Sequence, residues 1–283
     1  MLAVTHCVLD DAALQHLLIE DVPYGDLTTE ALAISERAAR IQFTARDAMT
    51  VCGTEEARRL CELCGATATL HTPSGQVAPP GTLLLTADGT VAAVHHVWKT
   101  AQTLLEWCAG VATRAAAIQT AAICGHPDAI VAVTRKNVPG VRQLAVKACR
   151  AGGAVMHRCG LSETVLIFAE HRQFLGDESP NTTLARLRRQ CPEKRIVVEV
   201  NTPAEALQWA NADVLQLEKF TPAAVAEVVD LTAQLNTSPL IAAAGGIHAD
   251  NAADYARAGA RLLVTSAPHI APPRDVQVRF HCA

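Results

Sequence analysis

Two short stretches decide the fold: AVTRKNVPG at residues 132–140 and GGAVMHR at residues 152–158. Each contains the end of an apolar run, and residues 141–151 between them have helical character. In a β–α–β unit, two parallel strands joined by a helix end at the same edge of one sheet. The two stretches therefore predict neighbouring parallel strands whose ends carry the side chains that follow each run.

Two pairs of cationic or protonatable side chains follow these runs: Arg135, Lys136, His157 and Arg158. An Arg guanidinium binds an oxyanion with a planar fork of donors, whereas a Lys ammonium acts as a point charge. Both pairs at one sheet edge would bind a group with several negative charges, such as a phosphate or a carboxylate. The alternative is that they are ordinary solvated residues at the start of loops.

The chain after Gly110 repeats this alternation of an apolar run and a helical segment. Short and almost purely apolar runs alternate with segments of helical spacing; the runs are residues 129–133, 154–156, 164–168, 196–200, 214–217, 241–244 and 262–264. Runs of this kind are typical of parallel strands that are buried on both faces. About seven β–α repeats in about 155 residues predict an incomplete, TIM-like α/β barrel, with its functional groups at the C-terminal ends of the strands.

The first half of the chain has a different pattern. Turn residues separate short elements, which predict a helix over 10–20, strands over 41–45 and 48–52, a helix over 54–64, several antiparallel strands within 66–94 and a long helix over 97–110. The Asp88-Gly89 pair is one of the predicted turns. We expect the long helix to link the two halves.

Composition excludes some classes of protein. Half of the residues are apolar and 4% are aromatic, so the core consists mainly of Ala, Val and Leu. A net charge of −4 argues against nucleic-acid binding, and no apolar run reaches the roughly 18–20 residues that span a bilayer. Residues 1–11 do not resemble a signal peptide. Together with ten scattered cysteines, this predicts a reducing cytoplasm and free thiols; Cys61 and Cys64 lie in a helical pattern and are interpreted as core thiols.

The later strands end in carboxylates, glycines and hydroxyls. Glu199 lies within the fourth barrel run and Glu218 directly follows the fifth. They could hold Mg²⁺, stabilise a developing positive charge, or form salt bridges within the barrel. The last two runs lead to Gly245, Gly246, Thr265 and Ser266. Such a late loop can hold a phosphate on backbone N–H groups, although a glycine pair can also be simply a tight turn.

These motifs together resemble the quinolinate phosphoribosyltransferase (nicotinate-nucleotide pyrophosphorylase, NadC) family over almost the whole chain. The matching segments are residues 20–21, 25–29, 100–113, 134–136, 139–140, 152–153, 157–158, 198–200, 218, 245–247 and 266–280. The resemblance implies an N-terminal α/β sandwich domain, residues 1–112 with the C-terminal tail 268–283, on an incomplete α/β barrel of residues 113–267. It also implies a homodimer or higher homo-oligomer with shared active sites.

The departures from the family are specific. Residues 166–171 read LIFAEH where quinolinate-specific members have LIKDNH, so Phe168 replaces a lysine that meets a substrate carboxylate. Lys99 stands where the family has an arginine donated across the dimer, Glu218 replaces an aspartate and Ala244 replaces a serine. The segments 161–164 and 166–171 instead resemble the ModD subgroup, pyrophosphorylases linked to molybdenum transport.

The resemblance implies a cytoplasmic, magnesium-dependent phosphoribosyltransferase with phosphoribosyl pyrophosphate and an aromatic nitrogen acceptor as substrates, and without a nucleic-acid or membrane partner. Catalytic roles fall on Glu199, Glu218 and Lys136, with both glutamates on the metal. Substrate binding falls on Lys99, Arg135, His157, Arg158, Phe168, His171, Gly245, Gly246, Thr265 and Ser266. Two alternatives stay open: a true quinolinate phosphoribosyltransferase of NAD biosynthesis, and a non-catalytic protein that binds an oxyanion or nucleotide in molybdenum homeostasis.

Overall fold

The computed structural model describes residues 4–235 and 238–282. The elements of the first part of the chain are α1 (Asp11–Asp21), α2 (Leu27–Ala31), β1 (Ala38–Ala45), β2 (Met49–Thr50), α3 (Thr54–Leu63), β3 (Thr67–Leu70), β4 (Val77–Ala78), β5 (Leu83–Thr90) and α4 (Val91–Gly125). The remaining elements are β6 (Ile130–Val133), α5 (Arg142–Ala151), β7 (Val155–Met156), β8 (Val165–Ile167), α6 (Ala169–Arg172), α7 (Pro180–Gln190), β9 (Ile196–Val200), α8 (Pro203–Gln208), β10 (Val214–Glu218), α9 (Pro222–Ala233), β11 (Leu240–Ala244), α10 (Ala252–Arg257), β12 (Leu262–Thr265), a 3₁₀ turn (Ala267–Ile270) and β13 (Val276–Cys282).

The chain divides into two compact units. One consists of residues 4–116, 137–153 and 268–282 within the described part, and the other of Ala117–Lys136 and Ala154–Ala267. The predicted domain boundary at residues 112 and 113 stays a prediction, and α4 passes through it without interruption.

The first unit contains an antiparallel sheet with the strand order β13-β1-β5-β3. Phe43 of β1 lies between Val278 of β13 and Leu85 of β5, so the C-terminal segment completes the sheet. Buried and less buried side chains alternate along β1, as expected where only one face of a sheet meets the core.

Two expectations for this unit were wrong. Asp88 and Gly89 are not a turn but lie within β5, where they pair with Arg40 and Ala39 of β1. Asp88 forms a two-point ion pair with Arg40, at 2.7 and 3.0 Å. A side chain at position 89 would lie 3.1 Å from the Ala66 side chain, so here the glycine permits close packing rather than a turn.

The linking helix is also longer than expected, because α4 spans 35 residues rather than residues 97–110. Gly110 suggested a helix end, but it lies within the helix. A Cβ atom at this position would lie 2.4 Å from the carbonyl oxygen of Pro272, so Gly110 allows the C-terminal segment to pass close to α4.

The second unit contains the predicted parallel sheet, with the strand order β7-β6-β12-β11-β10-β9-β8. Its seven strands match the seven apolar runs to within a residue or two at each end. The fold class, an α/β protein with a separate antiparallel layer and an incomplete α/β barrel, is confirmed.

The interior of this sheet is apolar and built largely from small side chains. It is formed by Ala132, Leu166, Val197, Val214, Ala242, Ala244 and Val264, with Phe168 packed against them. Side chains alternate along a strand. Glu199 therefore points to the same interior face as Val197, and Gln216 and Glu218 to the same face as Val214.

No disulfide links the ten cysteines, all of which lie within the described residues. Burial raises the pKa of Cys61 to about 12 and that of Cys64 to about 11. Both thiols therefore stay protonated at neutral pH, as expected for thiols with a packing role. Among the described helices, none combines the length and apolar character needed to span a membrane.

Candidate active site

The C-terminal ends of the parallel strands carry different chemistry at different positions along the sheet. In the order of the strands from β7 to β8, the groups are His157 and Arg158, Arg135 and Lys136, Thr265 and Ser266, Gly245 and Gly246, Glu218, Glu199, and then Phe168 and His171. The two cation pairs thus occupy one side of the sheet, and Glu218 and Glu199 lie on the other, where Lys219 follows Glu218; glycines and hydroxyls lie between the two sides.

The two edges of this sheet come close together at that end. The guanidinium carbon of Arg158, after β7, lies 5.6 Å from the centre of the Phe168 ring, after β8. These strands are at opposite ends of the strand order. The sheet therefore curves until its first and last functional groups face each other, and the strand ends form one mouth.

The cations at this mouth repel one another. Arg158 is only 8% exposed, and burial together with the nearby Arg135 lowers the pKa of its guanidinium. Burial and Arg158 likewise lower the pKa of His157. No carboxylate of the described residues lies within ion-pair distance of Arg135 or Arg158. An anionic ligand would relieve this repulsion.

Phe168 and His171 form an aromatic pair beside Arg158. Their rings are stacked with centres 5.7 Å apart and an interplanar angle of 19°. The backbone N–H of Phe168 donates to Nδ1 of His171 at 2.9 Å. This bond requires a lone pair on Nδ1, so a neutral His171 carries its proton on Nε2.

Glu199 and Glu218 lie on neighbouring strands and point into the mouth. Burial raises the pKa of Glu199, and the negative charge of Glu218 raises it further. The side-chain amide of Gln216 donates to Glu199 at 2.7 Å and opposes this rise. Two carboxylates that repel each other fit a Mg²⁺ ion, which takes one or two protein carboxylates and completes its shell with water and substrate phosphates.

The loop after β11 is shaped by two glycines. Gly245 and Gly246 have φ values of +87° and +77°, which favour glycine. A Cβ atom at position 245 would lie 2.7 Å from Cγ of Lys219 and 3.0 Å from Oε1 of Glu218. At position 246 it would meet no atom of the described residues within 4 Å. The backbone at Gly246 therefore has open space beside it.

Other residues hold this loop in place. The hydroxyl of the buried Thr265 donates to the carbonyl of Ile247 at 2.7 Å and accepts from the N–H of Ala267 at 3.0 Å. The side chain of Asn251 donates to the carbonyl of Gly246 at 3.0 Å. Thr265 thus fixes the loop after β11. The next residue in the sequence, Ser266, is half-buried.

Lys136 and Lys99 differ in their surroundings. Lys136 is exposed and next to Arg135, in the same unit as the other mouth residues. Lys99 belongs to the other unit; its ammonium lies 4.2 Å from the Trp98 ring centre and donates to Gln102 at 3.2 Å. The structure thus brings together the predicted residues of the second unit, and Lys99 makes contacts along its own helix.

Two features of the mouth were not expected from the sequence. Gln216 lies in the apolar run 214–217, two positions before Glu218, and side chains two positions apart on a strand face the same way, which is the signal that could have found it. Lys219, after β10, has a left-handed φ of +59°, a conformation that costs a non-glycine residue free energy and is found near functional sites.

An incomplete α/β barrel whose mouth combines cations, two neighbouring carboxylates and a glycine loop is the kind of site that α/β-barrel enzymes use for phosphate-bearing substrates. Residues 26–109 match the N-terminal domain, and residues 111–279 the C-terminal domain, of quinolinate phosphoribosyl transferase. The chain therefore belongs to the quinolinate phosphoribosyl transferase family, and the resemblance seen in the sequence is confirmed.

Relatives of known name agree with this assignment. The chain is 49% identical over 259 residues to the pyrophosphorylase ModD of Rhodobacter capsulatus, covering 90% of this chain and 99% of that one. It is 28% identical over 267 residues to a nicotinate-nucleotide pyrophosphorylase [carboxylating] of Synechocystis, covering 92% and 88%. The prediction of a pentosyltransferase of the pyrophosphorylase type, on the ModD side of the family, is confirmed at this level.

Solved structures support the fold. NadC from Streptococcus pyogenes has a TM-score of 0.87 at 23% identity, with 96% of this chain and 98% of that chain covered. The nicotinate-nucleotide pyrophosphorylase from Francisella tularensis has a TM-score of 0.88 at 19% identity, with 99% and 100% covered.

Proposed function

We propose that this chain is a magnesium-dependent phosphoribosyltransferase that moves the phosphoribosyl group of phosphoribosyl pyrophosphate to a ring nitrogen of an aromatic acceptor. The observation that carries the proposal is the separation of charge around the mouth. Unpaired cations lie on β6 and β7, and repelling carboxylates lie on β9 and β10. A substrate with anionic ends and a reacting centre that becomes positive is complementary to this arrangement.

Each side of the mouth has a distinct task. The phosphates of the donor substrate meet Lys136 and the open backbone at Gly246, and Ser266 lies beside that loop. Glu199 and Glu218 would hold Mg²⁺, and the metal would neutralise charge on the pyrophosphate leaving group. As that group departs, positive charge develops on the anomeric carbon, and the fixed carboxylate of Glu199 stabilises it electrostatically.

The acceptor lies against Arg135, His157, Arg158 and Phe168. Phe168 offers a flat apolar face where the family has a lysine, and Arg158 already lies over that ring. A cation is therefore missing from the place where a second carboxylate would bind. An acceptor with fewer negative charges than quinolinate, and with an exposed aromatic face, fits this side of the mouth.

A homodimer with shared sites completes the proposal. A charged mouth needs a cover that excludes water before a positive centre forms at the sugar. Two-fold dimers are the most common closed assemblies, and Lys99 would then reach the mouth of the partner subunit.

The experiment that tests the function is a screen for transfer. The protein is incubated with phosphoribosyl pyrophosphate, Mg²⁺ and pools of aromatic acceptors, and mass spectrometry follows new phosphoribosyl products while an enzymatic assay follows pyrophosphate. We expect one acceptor class to give both products, and removal of Mg²⁺ with EDTA to stop the reaction. Tight binding of the donor without release of pyrophosphate in any pool would instead identify a non-catalytic binding protein.

A further inference from the structure

Gln216 is a polar side chain in the apolar interior of the parallel sheet. It lies in the middle of β10, between Leu215 and Leu217, and is only 4% exposed. The strand register places it beside Glu199 of β9 on one side and Ala242 of β11 on the other. A buried primary amide in such a place carries a free-energy cost unless its donor and acceptor both find partners.

Only the nitrogen of this amide has a hydrogen-bond partner among the described residues. Its Nε2 donates to Oε2 of Glu199 at 2.7 Å, but its Oε1 is buried and has no hydrogen-bond partner among the described residues. The direction of the amide follows from chemistry, because an ionised carboxylate only accepts hydrogen bonds. The nitrogen must face Glu199, so the oxygen must face away from it.

The neighbours of Gln216 cannot satisfy this oxygen with their side chains. At the levels of Gln216 and Glu218, β11 carries Ala242 and Ala244, which have no polar side-chain atoms. On the other side of Glu199, the residue that follows β8 is Phe168, which is also apolar. The oxygen is thus a buried acceptor without a hydrogen-bond partner among the described residues, next to the carboxylate that we place at the reacting centre.

We propose that Gln216 is a specificity-determining residue whose Oε1 accepts a hydrogen bond from an N–H or O–H group of a bound substrate. The inference rests on the proposed function and deepens it. The group that binds here is a donor: either a hydroxyl of the ribose ring or an amide, amino or hydroxyl group of the acceptor. A carboxylate at this place meets two acceptors, Oε1 of Gln216 and the charge of Glu199, and is rejected.

The test compares Gln216→Met with the wild-type protein. Methionine preserves the length and volume of the side chain and removes both polar atoms, which suits an apolar interior. Gln208→Met is the matched control, because Gln208 is exposed at the end of α8 in the same unit. Thermal unfolding confirms that each variant is folded, and Gln216→Leu serves as a second apolar replacement.

Two binding measurements locate the donor group. Titration calorimetry with phosphoribosyl pyrophosphate, with and without Mg²⁺, tests the ribose hydroxyls. Titration with nicotinamide and with nicotinate, which share a ring but differ in whether the substituent can donate, tests the acceptor. Losing a hydrogen bond at a buried group is worth about 5- to 100-fold in affinity. We expect Gln216→Met to weaken the donor substrate by that factor, or to remove a preference for nicotinamide over nicotinate.

The outcomes separate the two proposals. A loss confined to phosphoribosyl pyrophosphate that is equal with and without Mg²⁺ assigns the donor to the sugar, whereas a loss seen only with Mg²⁺ arises from the missing bond to Glu199 and overturns the inference. A change confined to the ratio of the two pyridines assigns the donor to the acceptor. If neither quantity moves beyond the Gln208→Met control, the inference is overturned, and the oxygen is satisfied by buried water. A wild-type protein that binds no phosphoribosyl pyrophosphate overturns the proposed function itself.

Discussion

Two clusters of charged residues in this protein differ in whether their charges are paired. In the first unit, the ammonium of Lys147 lies 2.8 Å from Glu55 and 2.6 Å from Glu56 and also donates to the carbonyl of His6 at 2.9 Å. All three side chains are almost completely buried. At the barrel mouth, the charge of Arg135 lowers the pKa of Arg158, and the charge of Glu218 raises the pKa of Glu199.

The pKa shifts of the carboxyl groups have opposite directions in the two clusters. Burial alone would raise the pKa of Glu55, but hydrogen bonds from Lys147 and Ser74 lower it below its ordinary value. The pKa of Glu199 is raised instead, by burial and by Glu218. In the first cluster Lys147 pairs with both carboxylates, and hydrogen bonds from Ser74 and Val8 supply further donors to them, whereas the charges at the mouth lie beside charges of the same sign. We therefore expect the paired charges to support the fold and the unpaired charges to bind ligands.

The largest effect is expected from removing the cation of the paired cluster, Lys147. Lys147→Met leaves two buried carboxylates without their cation, which should lower the free energy of unfolding by about 3–5 kcal/mol. Urea unfolding at neutral pH measures the change. Lys194→Met, at an exposed position, should shift stability by less than about 0.5 kcal/mol. Equal stabilities for the two variants would show that the cluster does not support the fold.

The next effect concerns the unpaired cluster. Arg135→Ala should lower catalytic efficiency with the identified acceptor by about 100- to 1,000-fold, the cost of losing a preorganised charge contact. The unfolding free energy should stay within about 0.5 kcal/mol of wild type, since Arg135 is exposed and has no ion-pair partner among the described residues. Arg189→Ala, on the exposed end of α7, is the matched control. An unfolded variant would make Arg135 a scaffold residue.

Adding a cation at the mouth sharpens the contrast. Wild-type catalytic efficiency with quinolinate should lie below the ordinary enzyme range, roughly 10⁴ M⁻¹s⁻¹, because Phe168 occupies the place of the lysine. Phe168→Lys should raise that efficiency by about 10- to 100-fold, the value of a hydrogen bond to a charged group. Steady-state kinetics checks both numbers. Fast turnover of quinolinate by the wild-type protein would instead identify it as a quinolinate phosphoribosyltransferase of NAD biosynthesis.

A mixing experiment tests whether Lys99 belongs to the unpaired cluster of a second subunit. Lys99→Ala and Arg135→Ala should each be inactive in the acceptor assay. In a shared-site dimer, random exchange makes half of the pairs mixed, and one of the two sites in each then carries both native residues. The mixture should therefore regain about a quarter of wild-type activity. Exchange without recovery would leave Lys99 as a residue of its own helix, with Trp98 and Gln102 as its partners.

The smallest expected effect is on the pH dependence of stability, to which Glu55 of the paired cluster contributes. Glu55 has a lowered pKa in the folded protein, so its contribution to stability is complete above its ordinary value of 4.5 and is lost as pH falls through the folded value. Glu55→Gln should flatten this acid limb in urea unfolding at a series of pH values. A steeper limb in the variant would contradict the assigned direction of the shift.

The sequence predicted the parallel strands well because each is a short apolar run between polar turns. The predictions were wrong where a glycine, which often marks a turn or a helix end, instead lies inside a regular element. Gly110 and Gly89 indicated breaks, but both permit close packing inside regular elements. The family motifs led to the mouth residues, yet the approach of Arg158 to Phe168 depends on the curvature of the whole sheet.

Contacts between distant residues were the least predictable. Lys147 and Glu56 are 91 positions apart in the sequence, and neither lies in a motif that would connect them. Gln216 was overlooked for a related reason. One polar residue in an apolar run has no evident importance until the strand register places it beside Glu199.

The pairing of β13 with β1 has a consequence for synthesis of the chain on the ribosome. β1 and β5 emerge early, but β13, which covers the other side of β1, emerges only after every strand of the parallel sheet. Throughout that interval β1 is an exposed sheet edge, which can pair with another nascent chain. Arg40 lies on β1 and forms an ion pair with Asp88 of the neighbouring β5. These charged groups make pairing of β1 with another nascent chain less favourable.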